Sequence, residues 1–122
     1  MHEFNEEVED LADEILAYAL ERLKKDPPLD GPKSPEELLA EAGNTITVDG
    51  MGGQKTLQLF REVLAKACIS TDHPRYLAFI PSAPSEYSSL FDLVVGATAV
   101  YGGSWLEGAG AVFAENQALR WI

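Results

Sequence analysis

The sequence predicts a mainly α-helical chain, roughly two-thirds helix, and three observations predict it. Phe4, Val8, Leu11, Ile15 and Tyr18 recur at alternating steps of four and three, which lays one apolar row along a helix. Ser34-Pro35-Glu36-Glu37 combines an N-cap, a proline at the first helical position and a glutamate able to reach back to the cap. Two further stretches, 54–70 and 85–100, carry apolar residues at helical spacing.

The first helix has a second apolar row, Leu16, Leu20 and Leu23, beside the first. So wide a stripe wants cover on more than one side. Asp26-Pro27-Pro28-Leu29-Asp30-Gly31-Pro32 ends it, because proline lacks a backbone donor and disfavours helix in the residue before it. The helix that starts at Ser34-Pro35 is short and stops at Gly43-Asn44. Thr45 to Asp49 alternates polar and apolar residues and reads as a brief strand. Gly50, Gly52 and Gly53 form the next turn. Leu57, Phe60, Leu64 and Ala67 share a face of a helix running from Gln54 to about Ser70, closed by Asp72-His73-Pro74. Residues 75–82 read as extended. Ser85 to Val100 reads as helix, with Tyr87, Leu90, Phe91, Val94 and Thr98 aligned. Gly102-Gly103 breaks the chain, Gly108 and Gly110 keep the next stretch loose, and helix resumes around Ala111. That pattern runs to Trp121-Ile122 without a stop signal, so the chain reads as a fragment of a larger enzyme.

Composition narrows the function. The chain has 122 residues, enough for one domain with a modest core, and 46% of them are apolar, which suits a folded chain. A formal net charge of −11 argues against nucleic acid or an anionic membrane as partner. Glu3, Glu6, Glu7, Glu9, Asp10, Asp13, Glu14 and Glu21 crowd the first segment; they read as a solvated helix face, with a docking surface for a basic partner as the sharper alternative. The single cysteine, Cys68, excludes an internal disulfide and lies on the apolar side of its helical pattern, so a buried thiol is expected. The N-terminus is acidic and so is no signal peptide. The apolar run Leu90 to Tyr101 contains Asp92 and is too short to span a bilayer. The chain is therefore expected to be soluble and cytoplasmic.

Three motifs bear on chemistry. Gly50-Met51-Gly52-Gly53-Gln54-Lys55-Thr56 invites comparison with a phosphate-binding loop, but Gln54 stands where that motif needs glycine, so an ordinary turn before a helix is the better reading. His2 and His73 lie far apart and belong to no cluster with metal spacing, so no metal site is expected. His73, at a helix end before Pro74, suits a cationic structural cap. Tyr76 to Ser82 sets large apolar and aromatic residues along an extended run ending in Pro81-Ser82-Ala83-Pro84. Such a run presents side chains rigidly into a cleft or lines a core, and pattern alone leaves both open.

Residues 73–121 resemble the N-terminal region of the pyridoxal-phosphate-dependent group II decarboxylases, the family of the aromatic L-amino-acid, glutamate and 2,4-diaminobutyrate decarboxylases. The resemblance rests on His73-Pro74-Arg75-Tyr76, Phe79-Ile80-Pro81-Ser82, Gly96 within a helix, Ser104-Trp105 after the glycines, and Glu115 six residues before Trp121. Residues 1–72 match more loosely, as a first helix, a proline-rich linker and a helix before His73. The resemblance implies a fold-type I pyridoxal-phosphate enzyme, of which residues 1–72 form a helical dimerisation segment. Residues 73–122 form a pocket wall and the start of a large-domain region, and the large α/β cofactor domain is lacking.

It implies that Phe79, Ile80, Pro81 and Ser82 line the substrate pocket, and that Tyr101 and Gly103 reach into the active site of the partner subunit. Ile80 and Gly103 stand where the aromatic-substrate enzymes have large aromatic residues, which argues against an aromatic substrate. The family's cofactor joins a lysine that follows a histidine; Lys24, Lys25, Lys33, Lys55 and Lys66 do not. The parent protein is thus expected to be a homodimeric or higher homo-oligomeric carboxy-lyase acting on a small amino acid with pyridoxal 5'-phosphate. This chain alone is expected to be inactive, to carry no catalytic residue and to bind no cofactor covalently. Two alternatives stand beside it: a free-standing helical protein-interaction module, and a segment of another pyridoxal-phosphate enzyme such as an aminotransferase.

Overall fold

The chain is mainly helical. A computed structural model describes residues 4–79 and 85–122, with 61% helix; no strand occurs among the described residues. They fall into two compact units, Met1–Ala83 and Pro84–Ile122.

In the first unit, α1 spans Glu6–Lys24. The Asn5 side chain caps it, accepting from the backbone N–H of Val8 at 3.0 Å. Phe4, expected to open the apolar row inside the helix, therefore precedes the cap and is exposed. Glu6, Glu7 and Glu9 sit at the positive end of the helix dipole, and Arg22 and Lys24 at its negative end. Near that end Lys25 donates to Glu21 and holds its carboxyl below the usual carboxylate range.

α2 (Pro35–Ala42) begins as its sequence predicts. Ser34 Oγ accepts from Glu37 N at 3.2 Å, and Ser34 N donates to Glu37 Oε2 at 2.7 Å. Gly43 ends it at φ 64°, a conformation glycine adopts without cost. Lys33 and Glu41 pair across its length at 2.5 Å.

The strand expected over Thr45–Asp49 does not form. Its alternation offers a β face, but a strand exists only by pairing, and no partner strand is present among the described residues. Ile46 and Val48 stand almost fully exposed, and a turn from Thr47 to Gly50 follows.

α3 opens at Gly53, runs to Leu59 and continues without a break as a π-helical turn, Phe60–Leu64, and a 3₁₀ turn, Ala65–Ala67. The helical expectation holds to Ala67 rather than Ser70. Cys68 follows in extended conformation, so helical periodicity no longer sets its direction. Its thiol is exposed and donates to the Leu64 carbonyl at 3.4 Å, which corrects the expectation of a buried cysteine.

α1 and this helix run side by side in the same direction. Leu11 packs against Gly53, Tyr18 meets Phe60 edge-on with ring centroids 6.2 Å apart, and Arg22 binds Asp72 at 2.8 Å. The first two contacts are seven residues apart on both helices, the spacing at which parallel helices stay in register. Arg61 adds a guanidinium 5.3 Å from the centre of the Tyr18 ring.

In the second unit, α4 spans Glu86–Thr98, and Ser85 Oγ caps it by accepting from Ser88 N at 3.2 Å. Ala99 ends it in the left-handed region at φ 49°. α5 spans Trp105–Leu119. It starts six residues before the expected Ala111, because Gly108 absorbs a non-helical φ/ψ (−128°, 29°) without ending the helix. It closes at Leu119 with turns over Gln117–Trp121 rather than continuing through Ile122.

No hydrophobic side chain is buried among the described residues; the one buried residue is Gly108. No helix among them is long and apolar enough to cross a membrane.

Replacing Ser34 by Ala removes the side-chain half of the capping box, leaving the backbone N–H of residue 34 to Glu37, and should weaken α2 by about 1 kcal/mol. Glu37 is held below its ordinary carboxylate value chiefly by the Ser34 backbone N–H. Its contribution is therefore present above the unfolded-state pKa and is lost as pH falls through the lower folded value. An acid titration followed by the backbone chemical shifts of residues 35–42 should show α2 fraying there in the wild type. In Ser34→Ala, α2 should already be frayed at neutral pH.

Candidate functional site

The expected site residues divide between the two units: the four expected to line the pocket fall in the first, and Tyr101 and Gly103 in the second. Phe79 belongs to the first. The chain reaches it through successive turns, His73 N to Ser70 O at 3.1 Å and Tyr76 N to His73 O at 2.8 Å. Residues 75–79 are thus not the straight extended run expected. The turn at His73 interrupts it, and Phe79 takes a positive φ of 60°. Leu77 and Phe79 are more than nine-tenths exposed, so neither lines a core among the described residues. Ile80, Pro81 and Ser82 lie outside the described residues.

His73 is a local organiser of this turn. Its Nδ1 accepts from the backbone N–H of Arg75 at 3.0 Å. The helix ends at Ala67, so His73 closes this turn rather than forming the helix-end cap expected. Asp72, beside it, receives Arg22 from the end of α1; the pair is partly buried, with side-chain exposures of 20% and 34% respectively. The ion pair couples the approach to Phe79 to the first helix. Sequence reasoning finds neither it nor the Tyr18–Phe60–Arg61 cluster. The matched seven-residue steps, 11 to 18 and 53 to 60, are the signal that could have found them.

Tyr101 and Gly103 stand together in the connection between α4 and α5. A β-carbon added at Gly103 would meet the Tyr101 ring, at 2.8 Å from Cε2 and closer still to Cζ and the hydroxyl. One added at Gly108 would strike the Tyr101 carbonyl, 2.9 Å from its carbon and nearer its oxygen. The aromatic ring therefore folds down on Gly103 while the backbone of Tyr101 rests on Gly108. Trp105, at the first turn of α5, is exposed, as are Leu106 and Phe113.

Elsewhere in the first unit, α2 and the helix from Gly53 frame an open depression of about 270 Å³. Met51, Leu59 and Val63 supply apolar lining, and Glu41, Lys55 and Glu62 supply charge. It contains none of the expected site residues. In the glycine turn before it, the Thr56 hydroxyl donates to the Gly52 carbonyl at 2.7 Å, at the first helical turn. Among the described residues no group of three or more His, Cys, Asp or Glu is placed to hold a metal ion.

No family model, curated protein or solved structure matches this chain.

The contrast between two glycines of α5 is testable. Gly108→Ala drives a β-carbon into backbone that cannot swing away and should cost about 1–3 kcal/mol. Gly110 has nothing within 4 Å of its added β-carbon. Gly110→Ala should be neutral or stabilising by up to about 1 kcal/mol, since alanine favours helix. Amide exchange across α5 measures both.

Proposed function

We propose that this chain is the N-terminal, dimer-forming part of a pyridoxal-phosphate-dependent amino-acid decarboxylase, a cytoplasmic carboxy-lyase that works as a homodimer or higher homo-oligomer. The observation that carries the reading is the absence of any buried hydrophobic side chain among the described residues of so apolar a helical chain. Such helices are built to be covered by something else. The order of His73-Pro74-Arg75-Tyr76, Phe79 to Ser82, Ser104-Trp105 and Glu115 supplies the family.

In this reading the lysine that holds the cofactor lies outside these residues. The cofactor's imine needs a lysine held in a pocket. Lys25 and Lys33 are engaged with Glu21 and Glu41, and Lys24, Lys55 and Lys66 lie in helical segments. Pyridoxal phosphate acts as an electron sink for the carbanion left by carbon dioxide, and in this reading that chemistry belongs to residues beyond this segment. What this chain offers is recognition: Phe79 to Ser82 as pocket wall, and Tyr101 with Gly103 as the contribution to the partner subunit's site. The same exposed faces also suit a free-standing helical interaction module, which would have no turnover. An aminotransferase would transfer the amino group without releasing carbon dioxide.

The complete gene product should release carbon dioxide from at least one α-amino acid when supplied with pyridoxal phosphate. Borohydride should fix the cofactor to a lysine outside residues 1–122. Stoichiometric trapping at Lys24, Lys25, Lys33, Lys55 or Lys66 would contradict the proposal. So would amino-group transfer, or no turnover with any amino acid.

A further inference from the structure

Two Asp-Gly pairs occur in the chain, Asp30-Gly31 and Asp49-Gly50. In such a pair the glycine amide nitrogen stands beside an aspartate carboxyl with no side chain to shield it. The fold treats the two pairs differently. Asp30 is half-buried, whereas every residue from Gly43 to Gly50 is exposed. One backbone hydrogen bond holds residues 44–50 among the described residues: Gly50 N donates to Thr47 O at 3.3 Å. The Asp49 carboxylate has no hydrogen-bond or ion-pair partner among the described residues. A β-carbon added at Gly50 would meet nothing within 4 Å, so the space beside its nitrogen is open.

We propose that Asp49-Gly50 is a site of spontaneous isoaspartyl formation in the folded protein, and that the fold protects Asp30-Gly31. The Gly50 nitrogen attacks Asp49 Cγ and forms a C–N bond. The Cγ–OH bond breaks, and the hydroxyl leaves with the amide proton as water. The product is a succinimide ring. Water then adds to one of its two carbonyl carbons. Opening at Cγ restores aspartate. Opening at the main-chain carbonyl breaks its bond to the Gly50 nitrogen and leaves the chain running through the β-carboxyl. One water leaves and one returns, so the mass is unchanged and nothing is oxidised or reduced.

The attack requires Asp49 to turn about its Cα–C bond until the Gly50 nitrogen faces Cγ. Little resists that turn in an exposed connection held by one long hydrogen bond. Asp30 must first leave its half-buried place. The isoaspartyl product adds one main-chain atom between α2 and Gly52, the residue that opens α3, beside Gly53, on which Leu11 packs. The inference assumes nothing about the reaction of the complete protein.

The test is peptide mapping of the complete gene product after prolonged incubation in neutral buffer at physiological temperature. Trypsin releases Ser34–Lys55, in which Asp49 is the sole aspartate, and Asp26–Lys33, which carries Asp30. A species of equal mass and altered retention should accumulate in Ser34–Lys55 several-fold faster than in Asp26–Lys33. Electron-transfer fragmentation should place the extra main-chain methylene at residue 49. The unchanged mass separates this product from deamidation of Asn44. In denaturant the two rates should converge. Asp49→Glu, which must close a larger and slower ring, should abolish the new species. An Asp49 that stays intact, equal rates in the folded protein, or a new species that persists in Asp49→Glu would each overturn the proposal. So would a rate difference undiminished in denaturant, which would trace it to flanking sequence rather than to the fold.

Discussion

Uncovered apolar surface governs this chain. α4 exposes Tyr87, Phe91, Leu93, Val94 and Val95, each at half or more of its surface, on several sides of a single helix. Trp105, Leu106 and Phe113 do the same on α5. At roughly 25 cal/mol per Å², leaving such surface in water forgoes the main favourable term in folding. Helical hydrogen bonds alone do not hold short helices in water, where most stability comes from packing an apolar face.

The first unit shows how much the chain manages by itself. α1 and the helix from Gly53 meet in parallel register through Leu11, Tyr18, Phe60 and the Arg22–Asp72 pair. Even so, Val8, Ile15 and Leu16 remain more than a third exposed. The second apolar row of α1 is only partly covered, in keeping with a stripe wider than one neighbour can occupy. The ion pair at the end of this contact fixes where the chain turns toward Phe79, but a partly exposed pair contributes about 1 kcal/mol or less. It sets geometry more than stability.

The sequence is legible where local chemistry decides the outcome. Ser34-Pro35-Glu36-Glu37 forms a complete capping box, and Ser85 caps α4. Expectation and structure part where a distant partner or a single backbone exception decides. Thr45–Asp49 has a strand's alternation but lacks a second strand among the described residues. Cys68 has the right helical spacing but falls just past the last helical turn. Gly108 has the look of a breaker and is instead a kink inside α5. Of the expected site, Tyr101 and Gly103 come together in a way that residue types alone do not foretell, because a glycine's role depends on what occupies the space its side chain leaves. Phe79 was expected in a straight run and stands after a turn organised by His73.

The central claim is that this chain completes its core by association. Its most direct test is the concentration dependence of thermal unfolding, paired with sedimentation at each concentration. Association linked to folding requires the midpoint to rise with protein concentration and the sedimenting species to exceed the 13.3 kDa of one chain. A 13.3 kDa species that unfolds cooperatively at a midpoint independent of concentration would contradict it.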